Sequence, residues 1–159
     1  MPPIKLAIGQ ILSQVWSRFT LNTGIDRAAT SRIPETIAAI ASDPLRHTRG
    51  SARLATEFIT KAEWLQTHAV CLQVPLLLLH GGEDRISLPE ASHVFFRQVI
   101  CADKESHEYA GSYHDIHDDL DYREMLSDLG NWLERHLEKN PAACGSIPSS
   151  AIDVCAAIG

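Results

Sequence analysis

Long apolar runs, clustered basic residues and closely spaced cysteines are what this 159-residue sequence lacks, and each absence closes off a class of function. No apolar run approaches the ~20 residues that a membrane-spanning helix needs. The amino terminus, M-P-P-I-K-L-A-I-G-Q, has no basic region leading into a long apolar core and a small-residue cleavage site. A soluble chain without a transmembrane segment is expected. No cluster of Lys and Arg is longer than a pair, and 14 basic against 20 acidic residues leave a net charge of −6 with histidines neutral. The electrostatic footprint of a nucleic-acid binder is missing, so no nucleic-acid partner is expected. Cys71, Cys101, Cys144 and Cys155 form neither C-x-x-C nor a dense framework, a pattern of reduced thiols in a cytosolic setting. The expectation is therefore no disulfide and a cytoplasmic location. Internal repeats are not visible. Nor is there a G-x-S-x-G: none of the nine glycines brackets a serine at that spacing, so the strand-to-helix elbow that exposes a nucleophilic serine is not encoded in this sequence.

What is present centres on V-P-L-L-L-L-H-G-G-E-D, from Val74 to Asp84. Four consecutive leucines, Leu76 to Leu79, bounded by Pro75 and by His80-Gly81-Gly82, predict a short central strand covered on both faces, because a half-exposed strand would alternate. The glycine pair lets the chain turn sharply and sets Asp84 at the strand's carboxyl end, where open α/β sheets keep their chemistry. A second stretch, Y-A-G-S-Y-H-D-I-H-D-D from Tyr109 to Asp119, turns at Gly111-Ser112 and presents His114. An acid after one strand and a histidine after the next make the last two thirds of an acid-histidine-nucleophile relay, in the chain order Ser, Asp, His of the α/β-hydrolases.

The run P-L-L-L-L-H-G-G-E-D-R-I-S-L-P-E at Pro75 to Glu90, Asp103-Lys104, Y-x-G-x-Y-H-D-I at Tyr109 to Ile116 and N-W-L-E-R-H-L at Asn131 to Leu137 together resemble the carboxyl-terminal half of the monoacylglycerol lipase and lysophospholipase group of α/β-hydrolases. D-P-L-R-H at Asp43 to His47 and S-A-R-L-A-T-E at Ser51 to Glu57 resemble that group's lid. The resemblance covers about residues 3 to 139. It implies the lid and carboxyl-terminal part of an α/β-hydrolase fold, a parallel sheet flanked by helices, with a helical lid over 1–70, hydrolase core over 71–140 and a disordered tail over 141–159. By the same resemblance Asp84 is the triad acid and His114 the general base of a serine hydrolase of carboxylic esters. Its partner is a lipid ester, a monoacylglycerol or lysophospholipid, and it uses no cofactor and no metal. With no nucleophile in this sequence, the chain alone is expected to be inactive. Two alternatives stand beside this one: another branch of the same fold, haloperoxidase-like or aminopeptidase-like, and a non-catalytic module that holds an acyl chain or a protein.

Along the chain, Ile4, Ile8, Ile11, Leu12, Val15, Trp16 and Phe19 recur at helical spacing. That stripe either packs in a core or, as the resemblance implies, lines a lipid tunnel or makes weak contact with a membrane surface through a lid helix near 4–19. A short helix opens at Pro34, carries Ile37 and Ile40 and stops at Asp43-Pro44. Ser51 is an N-cap for a helix bearing Leu54, Ala55, Phe58, Ile59, Ala62 and Leu65. No strand is expected among these helices. Ser87-Leu88-Pro89-Glu90 matches a capping box for a helix to about Val99, with Ala91, Val94, Phe95 and Val99 on the sheet. A strand follows over Glu105 to Tyr109, unusual in carrying Glu108 where an apolar residue is normal, as an edge strand could. The last helix, Tyr122 to Leu137, has one apolar stripe of Tyr122, Met125, Leu126, Leu129, Trp132, Leu133 and Leu137. A sheet missing its flanking strands would leave an edge open to self-association.

Several residues near the two motifs invite other readings. His80-Gly81-Gly82 resembles the oxyanion H-G-G of lipases but follows the wrong strand, and so is read as a turn. His107, His114 and His117 with Asp115, Asp118 and Asp119 could be drawn as a metal site, yet show no recognised ligand spacing. Ser112 lacks the elbow a nucleophile needs.

Overall fold

A computed structural model of the protein describes Trp16, residues 19–138, Pro148 and residues 151–156. The expected first helix, from Ile4 to Phe19, lies almost wholly outside these residues. Two strands form the centre. Strand β3 (Leu76–Gly81) pairs in parallel with β4 (Lys104–Tyr109), Leu76 opposite Lys104 and Gly81 opposite Tyr109, and helix α3 (Pro89–Gln98) is the crossover between them. Helix α4 (Tyr122–Glu138) follows β4 and packs on the same pair. This is the parallel βαβα arrangement expected from the leucine strand onward.

Between residues 19 and 71 the chain is largely helical, with one departure. A three-residue ladder pairs β1 (Thr20–Asn22) with β2 (Arg49–Ser51), antiparallel, where no strand is expected; Arg49 fastens it by donating to the hydroxyl and carbonyl of Thr20. Helix α1 (Pro34–Ser42) begins with proline at its first turn, where the fixed φ suits the helix and no amide is lost. Pro44 disfavours helical backbone at Asp43, which closes it. Helix α2 (Ala52–His68) starts as the sequence predicts, Ser51 Oγ accepting from the Leu54 amide at 3.0 Å. Its Leu54, Phe58 and Leu65, however, face outward.

Helix α3 has no side-chain cap, so the capping box at Ser87 does not form. The reason lies one turn earlier. The Ser87 amide donates to Asp84 Oδ1 at 2.9 Å, and its carbonyl lies 2.8 Å from His80 Nε2. The residue is thus committed to the Asp84 turn, and the helix begins on Pro89. At the other end Lys104 Nζ donates to the carbonyls of Phe96 and Val99, closing α3 with the cation that also opens β4. Ala69, Val99 and Cys101 form a small core against which Leu72, Leu76 and Phe95 pack, whereas Ala91 and Val94 are exposed rather than on the sheet.

The two-stranded sheet explains the other differences. The leucines of β3 are half-buried and paired on one side only, so the strand is not central among the described residues. The sheet is too narrow to cover the whole apolar stripe of α4. Met125 is buried, and Tyr122, Leu129 and Trp132 are partly covered, while Leu126, Leu133 and Leu137 stand out to solvent. The polar composition of β4 finds its cause in its neighbours: Glu105 takes two hydrogen bonds from Arg135, and His93 lies 2.6 Å from Glu108. Each carboxylate meets a flanking helix.

The cysteines correct the sequence reading. Cys71 and Cys155 are joined in a disulfide with Cα atoms 5.5 Å apart, and Cys101 is disulfide-bonded as well. Spacing along the chain carries no information about cysteines brought together by a crossover, which is why the pattern looked reduced. The cytosolic expectation rested on reduced thiols and loses that premise. The same bond holds a short helix, α5 (Ile152–Ala156), against the turn at Ala69–Cys71, within the stretch where the sequence predicted a disordered tail. No helix among the described residues is long and apolar enough to cross a membrane.

Candidate active site

Parallel pairing puts the carboxyl ends of β3 and β4 side by side, and the two chain turns that leave them carry Asp84 and His114. The turn after β3 is drawn back by its own backbone, the Gly82 amide donating to Tyr109 O and the Glu83 amide to Ser112 O. Glycine is required here by space. A Cβ on Gly81 would lie 2.2 Å from Tyr113 O and 2.5 Å from Ser112 O, so the second turn rests directly on the Gly81 backbone. One on Gly82 would lie 3.0 Å from Ala110 O. The glycine pair therefore sets how closely the two turns approach.

Asp84 Oδ2 and His114 Nδ1 are 2.8 Å apart. The carboxylate is buried, its side chain 3% exposed, whereas the imidazole is 35% exposed. Asp84 Oδ1 accepts from the Ile86 and Ser87 amides at 2.7 and 2.9 Å. Burial alone would push this carboxyl's pKa up. The hydrogen bond from His114, the two amides and attraction to the imidazole outweigh it and hold the group below the usual carboxylate range. An ionised, acceptor-only Asp84 fixes the proton on His114 Nδ1, which leaves Nε2 with a lone pair and, among the described residues, no partner. This dyad can accept a proton at Nε2 and stabilise the charge that results.

His80 also reaches the acid, its Nε2 3.4 Å from Asp84 Oδ2 and 2.8 Å from Ser87 O, while Nδ1 meets Ser92 Oγ at 2.9 Å. It braces the acid turn, a role beyond the simple turn residue read from sequence. His107 lies 3.5 Å from Asp128, and His117 3.6 Å from Asp118. No group of three or more metal-ligating side chains converges among the described residues. Ser112 is fully buried, donating to Asp121 Oδ2 at 2.8 Å and accepting from Arg32 at 3.2 Å.

Sequence reasoning missed Arg32 and Asp121 and weighed Asp119 only as a candidate metal ligand. Fully buried Asp119 accepts from the amides of Arg32, Tyr113 and Leu120 and from Arg32 Nε. Arg32 Nη2 also donates to Asp121 at 2.6 Å. Burial would raise the Asp119 pKa, but these donors hold it low. Asp121 is lowered chiefly by the Arg32 hydrogen bond, then by Ser112. Arg32 and Asp119 are 87 residues apart, and a lone arginine in a polar stretch carries no mark of such a partner. A shallow cavity of about 440 Å³ opens beside the dyad, lined in part by Ile25, Asp26, Ala29, Arg85, Ile86 and Tyr113.

The family described as serine aminopeptidase, S33, matches residues 1–121. A monoacylglycerol lipase of Mycolicibacterium smegmatis is 28% identical over 136 residues, covering 85% of this chain and 48% of the relative. The crystal structure of the Paleococcus ferrophilus monoacylglycerol lipase superposes with a TM-score of 0.81 at 30% identity, over 86% of this chain and 53% of that one. A soluble variant of the Saccharomyces cerevisiae monoglyceride lipase, crystallised with a substrate analog, gives a TM-score of 0.73 at 26% identity, over 84% and 49%. The chain thus spans about half the length of these proteins.

Proposed function

Because the chain belongs to the serine aminopeptidase S33 family of α/β-hydrolases, in its monoacylglycerol lipase group, we propose that it supplies the acid and base of a carboxylic-ester hydrolase whose serine comes from outside this sequence. The observation that carries the reading is the 2.8 Å contact between buried Asp84 and half-exposed His114 at the ends of adjacent parallel strands. In the assembled enzyme His114 Nε2 takes the proton of the serine hydroxyl as its oxygen attacks the ester carbonyl. The imidazolium, stabilised by Asp84, then protonates the departing alcohol. A water molecule, deprotonated in turn by Nε2, releases the acid and regenerates the serine. The substrate is a monoacylglycerol or lysophospholipid, by likeness to lipases that share the fold, and the helices of residues 34–68 form part of a lid. Since the sequence holds no G-x-S-x-G, the chain by itself turns over no ester and acts at most as a binding module.

The test has two arms. A fluorophosphonate probe should leave the chain unlabelled, and stoichiometric labelling of one of its serines would show that the nucleophile is here after all. Joined to the amino-terminal half of a monoacylglycerol lipase, the chain should hydrolyse a monoacylglycerol. His114→Ala and Asp84→Asn should then each cost roughly 10⁴-fold in kcat, with His107→Ala and His117→Ala near the parent. Loss of turnover in His107→Ala or His117→Ala but not in His114→Ala would reassign the base. Preference for an aminoacyl anilide over the glyceride would move the protein to the aminopeptidase-like branch.

A further inference from the structure

A polar cluster built on Arg32, Ser112, Asp119 and Asp121 includes neither Asp84 nor His114, and it raises the question of what it is for. Four of its members, Thr30, Ser31, Ser112 and Asp119, are buried, and a buried carboxylate, here paired with a partly exposed Arg32 side chain, is seldom the most stable use of a core. Its connections run in one direction, toward the turn that carries His114. The Tyr113 amide donates to Asp119 Oδ2 at 2.7 Å, the His114 amide to Ala29 O at 3.4 Å and the Asp115 amide to Thr30 O at 2.8 Å. Three consecutive amides centred on the histidine are thus each assigned an acceptor, all from Asp119 or residues 29–30. Asp119 is in turn held at both oxygens by Arg32 Nε, 3.0 Å from each, and by the Arg32 amide. Ser31 Oγ donates to Asp118 O at 2.7 Å, and Arg32 Nη2 bridges Asp121 and Ser112. On the far side the turn rests on Gly81, with no room for a Cβ.

We propose that Arg32 and Asp119 are positioning residues for the base: the segment 29–32, distant in sequence, clamps the His114 turn against Gly81 so that Nδ1 stays on Asp84. This rests on the reading of His114 as the base. The physical argument concerns freedom. A histidine on a twelve-residue connection between strand and helix could swing its ring by rotating the Tyr113–Asp115 backbone, and Asp84 alone restrains only the ring nitrogen. Pinning the three amides removes that rotation. Two charge-assisted contacts from one planar guanidinium make the clamp directional in a way that a lysine could not reproduce. An exposed ion pair would supply little restraint; Asp119 is fully buried, so water competes poorly for its bonds.

The experiment is ¹⁵N NMR of the imidazoles in this chain at neutral pH. The parent should show His114 as one tautomer, protonated at Nδ1, with that proton exchanging slowly. In Arg32→Gln the exchange should quicken about tenfold or more, as when a charge-assisted hydrogen bond is lost, and the second tautomer should appear. Arg32→Lys should rescue only in part. Amide protection of Leu76 to Gly81 reports whether the sheet persists. Should Arg32→Gln unfold, Asp121→Asn decides, because Asp121 is 38% exposed and keeps its shape; there the exchange should rise a few-fold. Parent-like exchange and a single tautomer in the folded variants would overturn the clamp. A parent that lacks the Nδ1 tautomer would instead refute the dyad, and the two failures are distinct.

Discussion

Replacing Cys71 and Cys155 by serine together tests the least anticipated feature of the fold. The bond closes a loop across 84 positions of sequence, and in the chain-entropy model a loop of that length restricts the unfolded state by about 4.5 kcal/mol at 25 °C. Two structural facts bound the effect. Cys101 is disulfide-bonded too and lies within the loop, so part of that entropy is already removed and the figure is an upper bound. Among the residues of α5 and its flank, Ala151 is buried while Ile152 and Val154 are exposed, so little packing is lost with the bond. A loss of about 2 to 4 kcal/mol is therefore expected, arising in the unfolded ensemble. Urea unfolding followed by tryptophan fluorescence should show a lower midpoint and a steeper slope m, because the freed chain exposes more surface. Alkylation and mass measurement of the parent should find no free thiol at these two positions. A double variant within about 0.5 kcal/mol of the parent, or a parent that alkylates at both, would refute the reasoning.

Gly81→Ala places a methyl group against two carbonyl oxygens that have no slack. It should cost about 3 kcal/mol or more and broaden His114 resonances before those of β3; a parent-like variant by both measures would contradict the close approach. Asp84, Asp119 and Asp121 are all held below their ordinary carboxylate values, so the unfolded state takes up protons first. Stability should be complete above about pH 4 and fall as pH drops through the folded-state values; acid titration of the urea midpoint that stayed flat down to about pH 2 would count against this. The open edge of β3 and the outward Leu54, Phe58, Leu126 and Leu137 should make the chain self-associate. Sedimentation velocity showing a compact monomer at tens of micromolar would say that these surfaces are covered in a way the fold does not reveal.

What could be read from sequence was whatever local pattern dictates. Four leucines in a row, a proline at a helix start and a serine cap at position 51 each follow from short-range rules, and the structure keeps the strand, the helix start and the cap, although the strand is half-buried and paired on one side only. The errors share another origin. Ser87 has every local mark of an N-cap and is taken by Asp84 instead. Leu126, Leu133 and Leu137 fit the stripe of α4, yet a two-stranded sheet offers them nothing to cover. Glu108 looked misplaced in a strand until His93 on the crossover helix came beside it. Arg32 gave no signal, since its meaning lies in carboxylates nearly ninety residues away. Tertiary partners, rather than propensities, decided each of these.

The separation of Arg32 from Asp119 bears on the order in which the molecule assembles. The β3 to β4 pairing and the dyad span about thirty residues, whereas the clamp must close a loop of 87, and loop-closure entropy makes such contacts late. The histidine would then meet its acid in a nucleus formed by the βαβ unit, and be locked there only when the first third of the chain docks. Stopped-flow kinetics would carry the signature: substitutions at Arg32 should mainly accelerate unfolding, while those at Leu77 or Leu78 should slow refolding. Equal effects on the two rates at Arg32 would put the docking of residues 29–32 inside the nucleus. The long-range ion pair is, in these terms, a latch that sets how long the folded state lasts, with little say in how fast it is reached.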